Sequence, residues 1–224
     1  MKIEMGESLF YSWLRHEKCC QVVQSNWKVS PKWKHRHTAK LKDLMVAIDD
    51  YFANKYNYSI FKGTHTLDQL LKQGECDLLG IQTTQNGYKF YAVDVAFHMD
   101  GLNYKNRIET VKSIIKKCVR TAFCLYEFMD ATDSEVIFAS PKITPAVKRD
   151  IDMCIADLNA FFKDEGFKFN FYVLANDIFN EKVLQPVLNL RGDIADTSEL
   201  FLRGYQLSTM FSNETIAKKD ANIT

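Results

Sequence analysis

No run of about 18 apolar residues occurs in the chain, which excludes a membrane-spanning helix from the sequence reading. A secretory leader is not visible either, because residues 1–10 carry Glu4 and Glu7 where such a leader would be apolar. A cytoplasmic protein is therefore expected. Its thiols, Cys19, Cys20, Cys76, Cys118, Cys124 and Cys154, read as reduced rather than as a disulfide framework. The Asn-x-Ser/Thr matches at Asn57, Asn213 and Asn222 then read as coincidental.

Charge of one sign is also lacking. Against 29 Lys and Arg stand 28 Asp and Glu, a net charge of +1, so no global field draws a polyanion and any contact with one must come from a local patch. The chain has no GxxxxGK[ST] phosphate loop, no GxGxxG after a strand and no GxSxG elbow. Nucleotide hydrolysis, hydride transfer and esterase chemistry thus lack their usual scaffolding. Paired CxxC motifs are absent too. His16, Cys19, Cys20, His35 and His37 supply the ligand types for zinc without its spacing, since adjacent Cys19 and Cys20 cannot share one helix face. Without repeats, low-complexity segments or a linker, one domain over 1–217 and a disordered tail at 218–224 are expected.

What is present begins with a local basic patch. Over 28–42 the chain reads KVSPKWKHRHTAKLK, with no acid among Lys28, Lys32, Lys34, Arg36, Lys40 and Lys42. Trp27 and Trp33 interleave with these cations, a mixture suited to phosphate contacts with stacking. Lys28, Lys32, Trp33, Lys34 and Arg36 are the candidate nucleic-acid contacts, the alternative being a solvated loop with two anchoring tryptophans.

Hydrophobic spacing predicts a helix over 5–24 with Glu7 on or beside its inward stripe, and a second over 38–56 with an apolar face through Leu41, Leu44, Ile48 and Phe52. Thr38 can cap that second helix. A short strand is expected at 58–61 and a short helix at 66–73. Two β-prone runs, 77–83 and 88–98, flank Asn86-Gly87, which reads as a type I′ hairpin turn. Alternation places Asp94, Ala96 and His98 on one face of the second strand. There follow a helix over 106–129, a strand over 135–140, a helix from Thr144-Pro145 to Glu165, a strand over 167–175, a helix over 179–190 and a last helix over 199–211. Strands alternating with helices predict an α/β fold with a mixed sheet covered on both faces.

Carboxylates converging from two adjacent strands are the hard oxygen ligands that Mg²⁺ or Mn²⁺ prefers. At Glu7, Asp77 and the run Asp94-Val95-Ala96 the order of elements resembles the PD-(D/E)xK nuclease superfamily, over residues 4–140. That resemblance implies the restriction-endonuclease-like αβββαβ core, extended C-terminally by further helices and strands. It also implies a Mg²⁺- or Mn²⁺-dependent nuclease with Glu7, Asp77 and Asp94 as metal ligands and catalytic carboxylates. Nucleic acid is the implied partner, DNA first, with no membrane involved and a homodimer as an allowed assembly. The chain departs from the pattern at Ala96, where the family places lysine. Two substitutes are expected: His98 on the Asp94 face, or a lysine of the following helix, where Lys112, Lys116 and Lys117 are available and Lys116 is preferred over Lys112. The rival reading is a nucleic-acid- or protein-binding regulator on the same scaffold that has lost catalysis.

Overall fold

The computed structural model describes residues 4–64, 66–98, 100–190, 194 and 199–220, with side chains only as far as 210. Five strands form one sheet in the order β1-β2-β3-β4-β5. They are β1 (Val22–Lys28), β2 (Glu75–Thr84), β3 (Gly87–Val95), β4 (Asp133–Ser140) and β5 (Lys168–Ala175). The first three run antiparallel, whereas β3-β4 and β4-β5 pair parallel, so the sheet is mixed. The two parallel pairs are joined by helical crossovers, α4 (Arg107–Met129) and α5 (Pro145–Asp164), as parallel strands require. Among the described residues no helix is long and apolar enough to cross a membrane.

The sheet divides two cores. On one face α4 and α5, with α2 (Thr38–Tyr56) and α3 (Leu67–Leu71), pack on Leu79, Phe90, Ala92, Val136 and Phe138. On the other, α1 (Met5–Ser12) and its π-helical continuation through Glu17 cover Leu78, Tyr91, Val93 and Ile137. Val183 and Val187, from the segment that runs from α6 (Asn176–Phe179) through a π-helical turn into α7 (Gln185–Asn189), share that second core. The final helix, α8 (Leu200–Asp220), leans on α1. Of the tail expected at 218–224, residues 221–224 lie outside the described residues.

Several elements differ from the sequence reading. The first helix stops at Glu17, and Val22–Lys28, expected to be helical as far as Gln24, is instead the edge strand β1. Cys19 sits at φ 52, a left-handed turn that ends the helix. Pairing with β2 then outweighs the helical spacing of Cys20 and Val23. The strand expected at 58–61 is not formed; Asp49 Oδ1 accepts the N–H groups of Ile60 (2.7 Å) and Phe61 (3.2 Å) and holds that segment as a turn. At the hairpin, Thr84 pairs with Gly87, so the loop residues are Gln85 and Asn86 rather than Asn86 and Gly87. Gly87 alone carries a positive φ, 119°, where glycine relieves the strain. In α4 Ile108 is half exposed, while Asn106 caps the helix by accepting from Glu109 N–H at 2.9 Å.

The C-terminal end of α4 anchors the basic loop through a fully buried carboxylate. Glu127 accepts from His35 Nδ1 (2.8 Å), the His37 backbone N–H (2.7 Å) and the Thr38 hydroxyl (3.0 Å). Thr38 therefore spends its hydroxyl on Glu127 instead of capping α2. Around this anchor His37 stacks on Tyr126 at 4.1 Å, and Trp33 leans on Trp27 and Phe128. Where the start of β2 meets α4 the packing is tighter still: a Cβ on Gly74 would lie 2.4 Å from Cys124 Sγ and 2.8 Å from Val29 Cγ2. Glu127→Ala removes the buried acceptor of three part-buried donors and should lower stability by about 3 kcal/mol in chemical denaturation, with Glu127→Gln costing roughly half as much. Equal stability of Glu127→Ala and wild type would show that the loop is not held by this carboxylate.

Candidate functional site

The polar cluster forms where β2 and β3 part. Their pairing runs from Thr84-Gly87 to Leu78-Val93, and Asp77 alone of residues 75–84 has no partner in either neighbouring strand. Opposite it in β1, Asn26 takes a positive φ of 53°. The side chain of Asp77 does what its backbone does not: Oδ2 accepts the Val95 N–H at 2.6 Å. An aspartate at this position thus closes the ladder with its carboxylate and keeps one oxygen in reserve.

Asp94 lies one residue earlier on β3, beside Phe138 of β4 and on the sheet face covered by α4. It is 5% exposed. Lys117 of α4 answers it, with Nζ 3.4 Å from Oδ1. Burial pushes the Asp94 carboxyl up to about 6; Lys117 opposes the shift and the neighbouring Asp77 adds to it. Asp77 is likewise raised, chiefly by burial, although the Val95 N–H and Lys117 pull it back. For Lys117 burial favours the neutral amine, but Asp94, Tyr104 and Asp77 outweigh it and raise its pKa. The two partners thus respond unequally: the pair keeps the ammonium charged but does not fully compensate the buried carboxylate. The Lys117 side chain, 36% exposed, retains water that Asp94 has lost.

Glu7 reaches the cluster from the other face of the sheet. A Cβ on Gly6 would stand 2.9 Å from Val95 Cγ1, so a glycine lets the first turn of α1 settle on the end of β3. Burial, with Asp77 next to it, raises the Glu7 pKa. Its Oε2 is buried without a hydrogen-bond partner. Tyr104, just before α4, borders the same group: burial raises its pKa, Lys117 lowers it, and Asp94 and Asp77 raise it further.

The other candidates fall elsewhere. His98 lies beyond the end of β3, exposed, its ring edge-on to Tyr104 at 6.4 Å and bonded to neither aspartate. Lys116 points to the far side of α4, where Nζ donates to the buried Thr64 hydroxyl at 2.6 Å. Consecutive helical residues lie about 100° apart, which is why the two lysines serve different sides. Lys117 is therefore the lysine that meets the acids, in place of the expected Lys116. Ala96 is buried in the core on the α4 side, its N–H given to Ala139 O. The zinc-like residues disperse: His16 pairs with Glu199, His35 with Glu127 and His37 with Asp130, while Cys20 is buried and Cys19 exposed.

Of the basic loop, Lys28 lies nearest the cluster. It pairs with Glu75 at 3.2 Å, and Glu75 is close enough to Asp77 to raise its pKa. Lys32, Lys34 and Arg36 are exposed over the C-terminal end of α4, Arg36 paired with Asp130 and Trp33 39% exposed. Ten residues of helix separate Lys117 from Glu127, about 15 Å.

Among the described residues no group of three or more His, Cys, Asp or Glu side chains is placed to hold a metal ion. The expected convergence of Glu7, Asp77 and Asp94 is therefore realised as an electrostatic neighbourhood and not as a closed ligand set. No protein-family model, curated protein or solved structure matches the chain.

An aspartate with a folded pKa above its unfolded value binds more protons when folded, so it costs stability once pH exceeds both values. For Asp94 the cost grows as pH rises from about 4 to about 6 and is constant above that. In chelator-containing buffer, Asp94→Asn should raise the melting temperature by roughly 2–4 °C at pH 7.5 and by much less at pH 4. A destabilised Asp94→Asn protein at pH 7.5 would identify the Lys117 pair as structural cement.

Proposed function

We propose that the chain is a phosphodiester hydrolase acting on nucleic acid, DNA first, with a divalent cation as cofactor and the Asp77–Asp94–Lys117 cluster as its site. One observation carries the reading: a helix lysine stands 3.4 Å from the buried Asp94 carboxylate, at the edge where two strands part. It supplies from α4 the cation that Ala96 does not. Such a charge serves no packing purpose in a core, and the cost of burying Asp94 is the kind that proteins carry at working sites.

The donor chemistry fits a hard cation. Every candidate ligand is a carboxylate, and Glu7 Oε2 is buried with no partner. Mg²⁺ is commonly held by one or two carboxylates, with water and substrate phosphate oxygens filling its remaining positions, so a closed three-ligand set is not required. Asp94 and Asp77 would hold the cation, and Glu7 would hold water beside it. When bound, it would supply Lewis-acid stabilisation of charge on the phosphoryl oxygens.

The protein's own side chains account for the rest. Lys117, long-stemmed and still in contact with solvent, can swing its ammonium from Asp94 onto a phosphate oxygen and neutralise charge that grows during displacement. Asp77, bound to Val95 N–H, cannot swing away. Burial of Asp94 keeps bulk water from screening these charges.

A second reading, a binding protein that keeps the scaffold without catalysis, is favoured by the lack of a closed ligand set among the described residues. Incubation with plasmid, single-stranded DNA and RNA in Mg²⁺ or Mn²⁺ separates the two. Asp94→Ala should abolish cleavage and Lys117→Ala should lower it about 10²-fold or more, the usual loss when one charge-stabilising donor is removed. Lys116→Ala and His98→Ala should stay within about threefold, because neither residue touches the acids. Loss of cleavage in Lys116→Ala with Lys117→Ala unaffected would overturn the assignment, and a wild type that binds but cuts none of these substrates would establish the second reading.

A further inference from the structure

From the basic loop, depressions extend over α2, α3 and residues 59–64, with Phe128 and Met129 of α4 at the loop end. Three depressions adjoin there. The first, about 540 Å³, is walled by the basic loop from Lys32 to Arg36 and by Phe128. The second, about 250 Å³, shares His35 with the first and is lined by Thr38 and Lys42. The third, about 960 Å³, shares Lys42, Leu67 and Asp68 with the second and extends past Lys62 to Thr64. Shared wall residues place the three side by side, and together they are called the groove.

Its charges are arranged asymmetrically. The acids along it are spent internally: Asp49 on the N–H groups of Ile60 and Phe61, Asp68 on Lys72, and Asp130 on Arg36 and His37. Lys32, Lys34, Lys42 and Lys62 are all exposed, and among the described residues none of them makes an ion pair. Four ammonium groups without an ion pair beside these depressions suit a ligand with repeated negative charge. Trp33 opens the groove with a partly exposed indole, a surface on which a base can stack.

The far end adjoins the acid cluster through α4 itself. Thr64, in the groove wall, accepts from Lys116, and the next residue, Lys117, holds Asp94. From Glu127, which anchors the loop, to Lys116 is about 16 Å of helix. A partly exposed indole beside unpaired ammonium groups suits the accessible bases of a flexible single strand better than a duplex, whose bases are already paired and stacked.

We propose that this groove is a track for single-stranded nucleic acid, with Lys32, Lys34, Lys42 and Lys62 on successive phosphates and Trp33 under a base. The far end of the track lies across α4 from the Asp77–Asp94–Lys117 cluster, and any supply of the strand to that cluster rests on the hydrolase reading; the binding itself does not. Fluorescence anisotropy tests it with a 12-mer of oligodeoxythymidylate, a 12-mer of oligouridylate and a 12-base-pair DNA duplex, over a range of salt, in EDTA to prevent turnover. Wild type should bind the single strands more tightly than the duplex, and the two single-stranded probes distinguish DNA from RNA as the preferred source of the backbone.

Lys42→Glu with Lys62→Glu should weaken single-strand binding about 10-fold or more and flatten the log-log salt slope by about 1.4, two phosphate contacts at about 0.7 each. Both residues are exposed, so circular dichroism should report an unchanged fold. Lys163→Glu with Lys168→Glu, exposed at the α5–β5 turn, should leave binding within about twofold. Unchanged affinity and slope in the Lys42/Lys62 variant, tighter binding of the duplex, or no binding of any probe would each overturn the track. Channel-dependent binding by a protein that cleaves nothing would support the track while sinking the hydrolase reading.

Discussion

Burying a carboxylate among hydrophobic side chains is costly unless a donor or cation answers it, and α4 lies where it can answer Asp94 and supply Glu127. Midway along the helix Lys117 meets Asp94 from the sheet. At its C-terminal end Glu127, itself buried, gathers the N–H and hydroxyl groups of the basic loop. The same helix carries the apolar stripe that packs on β3, β4 and α5, so its position is set by hydrophobic burial, and the two polar contacts are placed by it. Shift α4 by one turn, about 5.4 Å, and both carboxylates lose their partners together.

Asp77 illustrates a different economy. A strand ladder that ends inside the protein leaves backbone donors to be satisfied, and here a side chain accepts the Val95 N–H that no strand takes. That bond spreads β2 and β3 apart beyond Leu78 and Val93, opening the edge onto which Glu7, Asp94, Lys117 and Tyr104 face. The opening also explains the crowding of like charge. Asp77 raises the Glu7 pKa, burial, Glu75 and Glu4 raise that of Asp77, and Lys117 is the cation that offsets the aspartates. An excess of acid over base at a buried edge is what a hard cation or a proton would relieve.

On the proposed reading, the loop and the cluster separate two tasks. Neutralising a phosphate backbone needs several exposed cations spaced along a surface, while acting on one phosphate needs a few charges held in low dielectric. The lysines of the groove are exposed and unpaired, those of the cluster partly buried and paired, and α4 carries the boundary between them at Lys116 and Lys117. The C-terminal part of the chain takes a structural share: Glu199 accepts from Ser12 at 2.5 Å and pairs with His16, tying α8 to α1, the helix that presents Glu7.

Much of this was legible in the sequence. Alternation and turn residues located β2, β3, β4 and β5, and hydrophobic spacing located α4 and the Thr144-Pro145 start located α5 within a residue or two, because local preference and tertiary packing agree there. The isolation of Asp94 within FYAVDVAF identified it as a charge needing a partner. The sequence by itself could not identify that partner. Lys112, Lys116 and Lys117 all lie in the first half of one helix, and only the angle at which α4 crosses β3 decides that Lys117 faces Asp94 while Lys116 faces Thr64. The strand β1 was hidden for the same reason: its residues suit a helix as well as a strand, and the free edge of β2 settled the matter. Glu127 gave no signal, since an acid near a helix end is ordinary until ninety residues of chain bring His35, His37 and Thr38 onto it. Residue type and periodicity determined which elements form and which residues carry charge; the tertiary structure decided which charges meet, because that depends on helix rotation and strand pairing between segments distant in sequence.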